Sequence, residues 1–249
     1  MGRLKDKVAL VIGGSGGIGG VIARGFAAEG ARIGIAGRTA SKVEAAVADL
    51  KKSGAQANGY AGELTGPRDC AAMIDNLAND FGRLDILVNS QGTTVLKPVA
   101  DVTEEDYDRV LQTNLKSVFF ACQAAHRHMC GQGGVIINIA SLSAHRGWTL
   151  AAAYAASKHG VLALTKSFAS EWATDGVRVN SITPGFYKTD LNRNMSPTRE
   201  AAAIAGTPAR RFGTLDELAG TAVFLASDDA KFITGADIAV DGGFLAQGI

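Results

Sequence analysis

Tyr154 and Lys158 have the chemistry and the spacing of an acid–base pair. They are four positions apart in a stretch of helical character, and positions i and i+4 lie on the same face of an α-helix. A phenol loses its proton near pH ~10 in water, and a nearby cation favours the phenolate. Such a tyrosine can exchange a proton with a substrate oxygen, to which Ser141 could also offer its hydroxyl. The alternative is a tyrosine that packs in the core beside a solvated lysine. The surrounding elements distinguish this alternative from an acid–base pair.

A cluster of glycines follows the apolar run at residues 7–12 and precedes a segment of helical periodicity. The run has no polar alternation, which is typical of a strand buried on both faces of a parallel sheet. A strand, a glycine loop and a helix in this order predict a nucleotide-binding turn, in which the first N–H groups of the helix face a pyrophosphate. The residues expected to bind the cofactor here are Gly13, Ser15, Gly16, Gly17, Ile18 and Gly19.

The next predicted strand, residues 32–36, leads into Gly37, Arg38 and Thr39. In dinucleotide sites an acidic residue after the second strand binds the ribose hydroxyls of NAD, and it repels the 2′-phosphate of NADP. The missing carboxylate at Gly37 and the guanidinium of Arg38 therefore favour NADP(H), with NAD(H) possible. No basic residue accompanies Arg38 in the glycine loop, and an exposed arginine in a turn is the alternative.

Apolar strand-like runs and segments of helical periodicity alternate through the 249 residues. This alternation predicts an α/β fold, a single doubly wound domain of the Rossmann type over residues 1–249, with a parallel sheet of about seven strands and helices on both faces. Ligands of such a fold lie outside the carboxyl ends of the strands. The residues expected at that edge, besides the glycine loop, are Glu63, Leu64, Asn89, Gly92 and Ser141.

Two segments of the second half bear on the site. A long helical region at residues 103–129 contains Asn114, a poor helix former that needs hydrogen-bond partners when buried. Asn114 is predicted to bend the helix and to hold a water through its carbonyl, and an exposed helix asparagine is the alternative. Residues 191–209 combine mixed polarity with two prolines, which indicates either a lid over the substrate or a surface insertion.

The composition argues against several classes of partner. Lysine and arginine together number 25, aspartate and glutamate 24, and the charges are interspersed, so neither a nucleic-acid footprint nor a polybasic membrane patch is expected. No stretch approaches the ~20 apolar residues of a membrane span, and no signal-peptide pattern is present. The three cysteines lack C-x-x-C spacing, which indicates reduced thiols and a cytoplasmic protein.

His126, His128 and Cys130 invite a metal interpretation. On a helix, His126 and Cys130 share a face while His128 points elsewhere. No metal site is therefore expected.

Taken in order, the motifs resemble those of the short-chain dehydrogenase/reductase family over essentially the full chain. The glycine loop resembles the family's cofactor loop, and residues 89–92, Asn-Ser-Gln-Gly, resemble its Asn-Asn-Ala-Gly element. Each motif alone is a common pattern, but the ordered set is specific. The catalytic tetrad of the family is matched by Asn114, Ser141, Tyr154 and Lys158, and its nicotinamide-side motif by Pro184, Gly185 and Thr189.

The resemblance implies an NADP(H)-preferring oxidoreductase that interconverts a secondary alcohol and a ketone on a small polar substrate, without a metal. Tyr154 would be the general acid for reduction and the base for oxidation, and Ser141 would hydrogen-bond the substrate oxygen. Lys158 would bind the nicotinamide ribose and lower the pKa of Tyr154, while Asn114 would hold a relay water. The family also implies a homotetramer. The nicotinamide carboxamide would be oriented by Pro184, Gly185 and Thr189.

Departures from the family's pattern affect the cofactor side. Ile12 replaces the usual threonine before the first glycine, so a hydroxyl that tethers the Asn89 region is absent. Ser90 and Gln91 replace asparagine and alanine, and Glu63 stands where the family has aspartate beside the adenine. None of these changes removes a tetrad residue.

Within the family, residues 137–141 and 238–245 are similar to segments of sugar-acid dehydrogenases of the gluconate 5-dehydrogenase type and of 3-oxoacyl-carrier-protein reductases. A sugar acid is therefore one expected substrate, and an acyl-carrier substrate is the alternative. A dinucleotide-binding regulator without turnover is a third hypothesis, which the intact tetrad disfavours. The residues placed where a substrate could meet them are His145, Arg146, Trp148 and Lys188, of which Arg146 or Lys188 could pair with a carboxylate.

Overall fold

The sheet is parallel throughout and is built from seven strands within residues 2–189 and 195–247, which a computed structural model describes. The strands are β1 Val8–Ile12, β2 Arg32–Gly37, β3 Ala57–Ala61, β4 Ile86–Asn89, β5 Gly134–Ile139, β6 Val177–Pro184 and β7 Asp237–Val240. Their order across the sheet is β3-β2-β1-β4-β5-β6-β7. The strand order reverses between β1 and β4, and a doubly wound sheet opens its ligand crevice at such a point.

Helices cover both faces of this sheet. The α-helices within the described residues are α1 Gly17–Ala28, α2 Ala40–Lys52, α3 Pro67–Phe81, α4 Glu104–Leu111, α5 Ser117–Met129, α6 Ala152–Trp172, α7 Pro197–Gly206 and α8 Leu215–Ala226. One buried cluster packs α1, α2 and α8 against Val11 and Val88, and a second packs α3, α5 and α6 against Leu10 and Leu87. Because successive strand residues point to opposite faces, each strand serves both clusters. The predicted fold class is confirmed.

The long helical region predicted at residues 103–129 is interrupted in its middle. A π-helical turn, Gln112–Lys116, joins α4 to α5 and contains Asn114, which is fully buried. Such turns are rare and occur frequently at functional sites. The predicted bend at Asn114 therefore takes the form of a wider helical turn that carries a buried polar side chain.

The predicted lid is described only in part, because residues 191–194 lie outside the described residues. Beyond them, α7 has Pro197 at its first position, where the fixed φ of proline suits a helix start. The Ser196 hydroxyl caps this helix by accepting a hydrogen bond from the N–H of Arg199 (3.3 Å). The closure of this segment over a ligand stays a prediction.

The residues predicted to do chemistry follow the strands at one edge of the sheet. Gly13 follows β1, Asn89 ends β4 with Gly92 shortly after it, Ser141 follows β5 and Pro184 ends β6. All parallel strands present their carboxyl ends at the same edge, so the sheet gathers these residues. Across residues 2–189 and 195–247, no helix combines the length and the apolar character that a membrane crossing requires.

Candidate active site

A cavity of about 950 Å³ opens at the carboxyl ends of β1, β4, β5 and β6. Ligand pockets in proteins commonly occupy roughly 300–1,000 Å³, so this one is large enough for a cofactor and a small substrate together. It runs from the glycine loop to the region of α7. The predicted site residues that line it are Gly13, Ser15, Gly16, Gly17, Ile18, Gly92, Ser141, Tyr154, Lys158, Pro184, Gly185 and Thr189.

Other predicted residues lie behind or beside the cavity wall rather than on it. Gly19 packs against the carbonyl oxygen of Gly13, where an added Cβ would clash. Asn89 and Asn114 are fully buried and support the wall from behind. Leu64 packs against the apolar cluster on the α3 side. The remaining three, which are exposed beside the cavity, are Arg38, Thr39 and Glu63.

The glycine loop forms a cradle that fits a phosphate group. Gly17 has a φ of +52°, and a Cβ added at Gly16 or Gly17 would meet nothing within 4 Å. Helix α1 begins at Gly17 with no side-chain cap and no acidic residue in its first turn. The uncapped N–H groups at such a helix start attract anions. These residues therefore fit the pyrophosphate of a dinucleotide.

The glycine loop is tied to β4 through the backbone, although the family's threonine is absent. The Ser90 N–H donates to the Ile12 carbonyl oxygen (2.9 Å), next to the paired residues Ile12 and Asn89. Gly13 has a φ of +78°, and a Cβ there would lie 2.8 Å from the Ser90 carbonyl carbon. Strand pairing and close backbone packing therefore join the glycine loop to β4 in the absence of the threonine hydroxyl.

Tyr154, Lys158 and Ser141 meet at the inner end of the cavity. Helix α6 presents the tyrosine and the lysine on one face, with Lys158 Nζ 5.9 Å from the centre of the Tyr154 ring. Lys158 is buried, and its Nζ donates to the carbonyl oxygen of Ile139 (2.8 Å) at the end of β5. Ser141 lies close enough to the phenol of Tyr154 to lower its pKa. The predicted juxtaposition of these side chains is therefore present.

Burial changes the proton affinity of both groups on α6. Burial raises the pKa of Tyr154, and the side chain of Ser141 lowers it in part. Burial also lowers the pKa of Lys158 to about 8. Desolvation of the phenol is the largest effect on the Tyr154 pKa, and the lowering of that pKa by Lys158 stays a prediction. At neutral pH the phenol is protonated, which is the form that a proton donor needs.

Asn114 connects three parts of the site. Its side-chain oxygen accepts from the N–H of Thr93 (2.8 Å), and its amide nitrogen donates to the Thr93 carbonyl (2.9 Å). The same nitrogen donates to the Ser157 hydroxyl (3.0 Å), which donates to the carbonyl oxygen of Tyr154 (2.7 Å). The π turn thus holds the first turn of α6 and the segment after β4 in place. The relay water at the Asn114 carbonyl stays a prediction.

A buried polar network lies behind the end of β4. The Asn89 amide donates to the side-chain oxygen of Asn138 (2.9 Å), and the Asn138 amide donates to the Thr165 hydroxyl (3.0 Å) on α6. Gln91 lines the cavity and donates to the Ser117 hydroxyl (3.0 Å). Its Oε1 is buried and accepts no hydrogen bond from the described residues. Gln91, visible in the sequence only as a departure from the family, therefore connects the cavity wall to the start of α5 through Ser117.

Two cations on the cavity wall, Arg24 of α1 and Lys42 of α2, carry no sequence motif. They line the cavity together with other residues of these two helices, among them Ala23 and Asp49. After β2, a Cβ added at Gly37 would lie 3.1 Å from the Ser15 hydroxyl oxygen. A carboxylate at position 37 would therefore require Ser15 to move. Helical periodicity could not identify these cations, because only the packing of α1 beside α2 brings them together.

The outer part of the cavity is lined by aromatic and apolar groups. Trp148 stacks on Phe244 with 6.1 Å between ring centres and meets Phe186 edge-on at 5.8 Å. The Trp148 indole N–H is buried and makes no hydrogen bond within the described part of the chain. Arg199 of α7 also reaches this wall, and the sequence patterns do not single it out. Its neighbours on the wall are Thr94, Leu96, Ser143 and Met195.

The other residues expected to meet a substrate do not line this cavity. Each is bound to a neighbour instead: His145 to Asp237 (2.9 Å), Arg146 to the carbonyl of Gln247 (3.1 Å) and Lys188 to Glu200 (2.7 Å). Arg199, by contrast, lies on the cavity wall. The charge that a substrate carboxylate would meet there thus comes from α7 rather than from Arg146 or Lys188.

A phosphate cradle beside a tyrosine, lysine and serine cluster defines the site of a dinucleotide-dependent oxidoreductase. Residues 13–245 match the family model described as enoyl-(acyl carrier protein) reductase. The chain belongs to the short-chain dehydrogenase/reductase family, as the ordered motifs predict.

Proteins similar to this chain span nearly its whole length. D-threitol dehydrogenase of Mycolicibacterium smegmatis is 41% identical and covers 97% of this chain and 94% of its own. The 2-dehydro-3-deoxy-D-gluconate 5-dehydrogenase of Bacillus subtilis is 40% identical, and the match covers 98% of this chain and 96% of the relative. The 3-oxoacyl-[acyl-carrier-protein] reductase FabG of Escherichia coli is 38% identical, and the match covers 97% of this chain and 98% of the relative.

A similar solved structure contains the cofactor. The gluconate 5-dehydrogenase of Burkholderia cenocepacia J2315, in complex with NADP and tartrate, has a TM-score of 0.95 at 34% identity and covers 99% of both chains. Since the cradle of the present chain fits the pyrophosphate of such a cofactor, the protein is an oxidoreductase that binds a nicotinamide dinucleotide.

Proposed function

We propose that the protein is an NADP(H)-preferring oxidoreductase that interconverts a secondary alcohol and a ketone on a small polar substrate, with a sugar acid as the first candidate. The observation that carries this proposal is the convergence of Tyr154, Ser141 and Lys158 in the cavity that also contains the glycine loop. A regulator without turnover would have no need of a proton donor beside a buried cation at that place.

The residues of the chain manage one proton. In ketone reduction Tyr154 donates its proton to the substrate oxygen, while Ser141 hydrogen-bonds the same oxygen. The bound nicotinamide supplies the hydride. The Lys158 ammonium, held by the Ile139 carbonyl, stabilises the phenolate that remains. In alcohol oxidation the phenolate takes the proton back.

The outer wall of the cavity supports a small substrate rich in oxygen atoms. Trp148 offers a flat ring, Thr94 and Ser143 offer hydroxyls, and Arg199 offers a cation to a carboxylate. The similarity to proteins named for threitol and for a dehydro-deoxygluconate supports the same class of substrate.

Reduction of a 3-oxoacyl group on a carrier protein is the second candidate. Leu96, Phe186 and Met195 give the cavity an apolar wall that suits an acyl chain. The 38% identity to a reductase named for this reaction supports it as well.

A fluorescence titration with NADPH and NADH, followed by a carbonyl panel on the same sample, tests the proposal. The panel contains keto-sugar acids, ketoses, acetoacetyl thioesters and simple ketones. We expect tight NADPH binding and turnover of a keto-sugar acid. Turnover of thioesters alone would select the carrier reductase, and binding without any turnover would favour a regulator. Binding of neither cofactor would overturn the interpretation of the glycine loop.

Arg38→Ala is expected to weaken NADPH binding much more than NADH binding. Arg38 is exposed directly after Gly37, where no carboxylate opposes a 2′-phosphate. Loss of a charge-assisted hydrogen bond costs about 1.5–3 kcal/mol, which is roughly ten- to a hundredfold in Kd. Fluorescence titrations of both cofactors at one fixed salt concentration measure the difference.

Arg127→Ala provides a matched control for the loss of charge. Arg127 is exposed near the end of α5, which leads to the opposite edge of the sheet. Its removal should leave both affinities unchanged. Equal weakening of NADPH and NADH by Arg38→Ala would exclude Arg38 from the phosphate site and leave Lys42 and Arg24 as the cations to test.

We also propose a homotetramer in the cytoplasm. Phe232 is fully exposed and Phe224 is 37% exposed, and both lie on segments that lead into β7, the last strand of the sheet. Apolar side chains near a sheet edge are suited to bind another copy. Light scattering should give four times the chain mass of 25.7 kDa, whereas the mass of a single chain would contradict the proposal.

A further inference from the structure

A cluster of metal-ligating side chains lies at the amino-terminal edge of the sheet, opposite the cavity. Cys130 directly follows α5, and Asp175 lies just before β6. His126 is about one helical turn before Cys130. The six residues of β5, which span about 20 Å, separate this edge from Ser141. The cluster is therefore distinct from the active site.

The donor atoms of the three side chains converge. His126 Nε2 lies 2.8 Å from Asp175 Oδ2. One ring nitrogen of His126, one carboxylate oxygen of Asp175 and the thiol sulfur of Cys130 all lie within 4.8 Å of one another. Backbone hydrogen bonds hold the two segments together. The Gly131 N–H donates to the Asp175 carbonyl oxygen (3.2 Å), and the Cys130 N–H donates to the His126 carbonyl oxygen (2.8 Å). The backbone therefore fixes the relative positions of the two segments that carry the three donors.

Aromatic stacking holds the imidazole of His126 in one plane. The ring stacks on Trp172 with 4.4 Å between centres and 15° between planes. Trp172 is buried and stacks in turn on Phe168 (4.4 Å, 9°). This arrangement keeps Nε2 directed at Asp175. A ligand that is oriented before binding loses less conformational entropy when it binds.

We propose that His126, Cys130 and Asp175 bind a divalent transition-metal ion with the preferences of Zn²⁺. Imidazole, thiolate and carboxylate are all zinc ligands, and a thiolate disfavours Mg²⁺ and Ca²⁺. Three protein ligands leave the fourth tetrahedral position to a water. Metal–ligand distances of about 2.0–2.3 Å place the donor atoms about 3.3–3.6 Å apart, so side-chain movements of about 1 Å complete the site.

The proton balance of this binding step involves two of the ligands. The Cys130 thiol releases its proton and becomes the thiolate that the metal requires. Neutral His126 donates its Nε2 proton to Asp175 in a hydrogen bond, so metal binding shifts that proton to Nδ1 and leaves the Nε2 lone pair for the metal. Cys130 is exposed, so an ion from solution can reach the thiol.

The same helix contributes His128 to a matched pair without a thiol, whose carboxylate lies on α3. His128 Nε2 lies 2.7 Å from Asp75 Oδ1, and no third donor joins this pair among the described residues. The sequence argues against a metal site because His128 points away from His126 and Cys130. In the fold, Asp175 rather than His128 is the third donor, and it comes from a segment far along the chain.

A cobalt titration of the full-length protein, kept reduced and followed by absorbance, tests this site. Co²⁺ bound to a thiolate absorbs in the near ultraviolet by charge transfer. We expect a single equivalent of Co²⁺ per chain to produce this band and Zn²⁺ to displace it. Cys130→Ser should abolish the band, and Asp175→Asn should weaken Co²⁺ binding by at least about tenfold. His128→Gln should keep both the band and the affinity.

Alkylation provides a readout that does not depend on absorbance. Zn²⁺ should protect Cys130 from iodoacetamide in the wild type and in His128→Gln, and should not protect it in Asp175→Asn. Turnover should be unchanged in all variants. This result would show that the variants fold and that the metal site takes no part in the reaction. A wild type without the charge-transfer band would overturn the proposal. The proposal would also be overturned if the band persisted in Cys130→Ser, or if Zn²⁺ did not slow the alkylation of Cys130 in the wild type.

Discussion

Tyr154→Phe is expected to lower kcat by about 10³-fold, within the range for loss of a general acid, and to leave NADPH binding nearly unchanged. Phenylalanine keeps the ring that packs near Lys158, so the variant loses a proton and a hydrogen bond rather than shape. Ser141 remains, but a serine hydroxyl is far too weak an acid to replace the phenol at neutral pH. Steady-state kinetics on the best panel substrate and a fluorescence titration measure the two effects separately.

Tyr60→Phe is the matched control for this variant. Tyr60 also loses a hydroxyl that donates a hydrogen bond, to Asp80 (2.8 Å), but it lies on β3 and does not line the cavity. It should keep wild-type kcat. If Tyr154→Phe retained the wild-type rate, the assignment of Tyr154 as the proton donor would be wrong.

Lys158→Met is expected to lower kcat by about 10²–10³-fold, the usual size for loss of one electrostatic stabiliser in an enclosed site. The lysine is buried beside Tyr154, and its ammonium makes the hydrogen bond to Ile139 that positions the charge. Methionine has similar length and no charge. The phenolate left after proton transfer would then lack its nearby cation.

The same substitution should remove a pH dependence of stability. Burial lowers the pKa of Lys158 from 10.5 in the unfolded chain to about 8 in the fold. Between these values the unfolded chain binds more protons than the folded one, so the free energy of unfolding rises with pH. Below pH 8 both states are protonated, and the full penalty for the buried ammonium is present. The buried lysine therefore lowers the free energy of unfolding least at high pH, where it is neutral in the folded protein.

Urea unfolding of the wild type and Lys158→Met measures this effect. Between about pH 7.5 and about pH 9.5, the free energy of unfolding of the wild type minus that of the variant should rise by about 2 kcal/mol. Taking the difference removes the contributions of groups that both proteins share, such as the buried Cys122. A difference that does not change with pH would show that Lys158 titrates near its ordinary value.

The fold and the inner end of the site follow from local patterns. The apolar runs that become β1 and β5 could be predicted because strands buried on both faces lack polar alternation. Tyr154 and Lys158 share a face because helix geometry depends only on their spacing. Membership in the short-chain dehydrogenase/reductase family, read from the ordered motifs, is confirmed.

The rest of the site depends on contacts between distant segments, which a single sequence does not display. Arg24 and Lys42 reach the cavity only because α1 lies beside α2, and Arg199 only because α7 lies beside the sheet edge. Lys188 is paired with Glu200, a contact that no spacing rule predicts. The raised pKa of Tyr154 reflects burial, which also depends on the tertiary packing.

The π turn between α4 and α5 acts as a phase shift in the hydrophobic pattern. Val110 before it and Val118 after it are both buried, yet they are eight positions apart. Two α-helical turns take about 7.2 residues, so an unbroken helix would place these side chains about 80° apart. The extra residue in the turn realigns them: without it the two valines would be seven positions apart in a regular α-helix, which is within about 20° of the same face. The turn that places Asn114 in the site therefore also keeps two helices in register with one core.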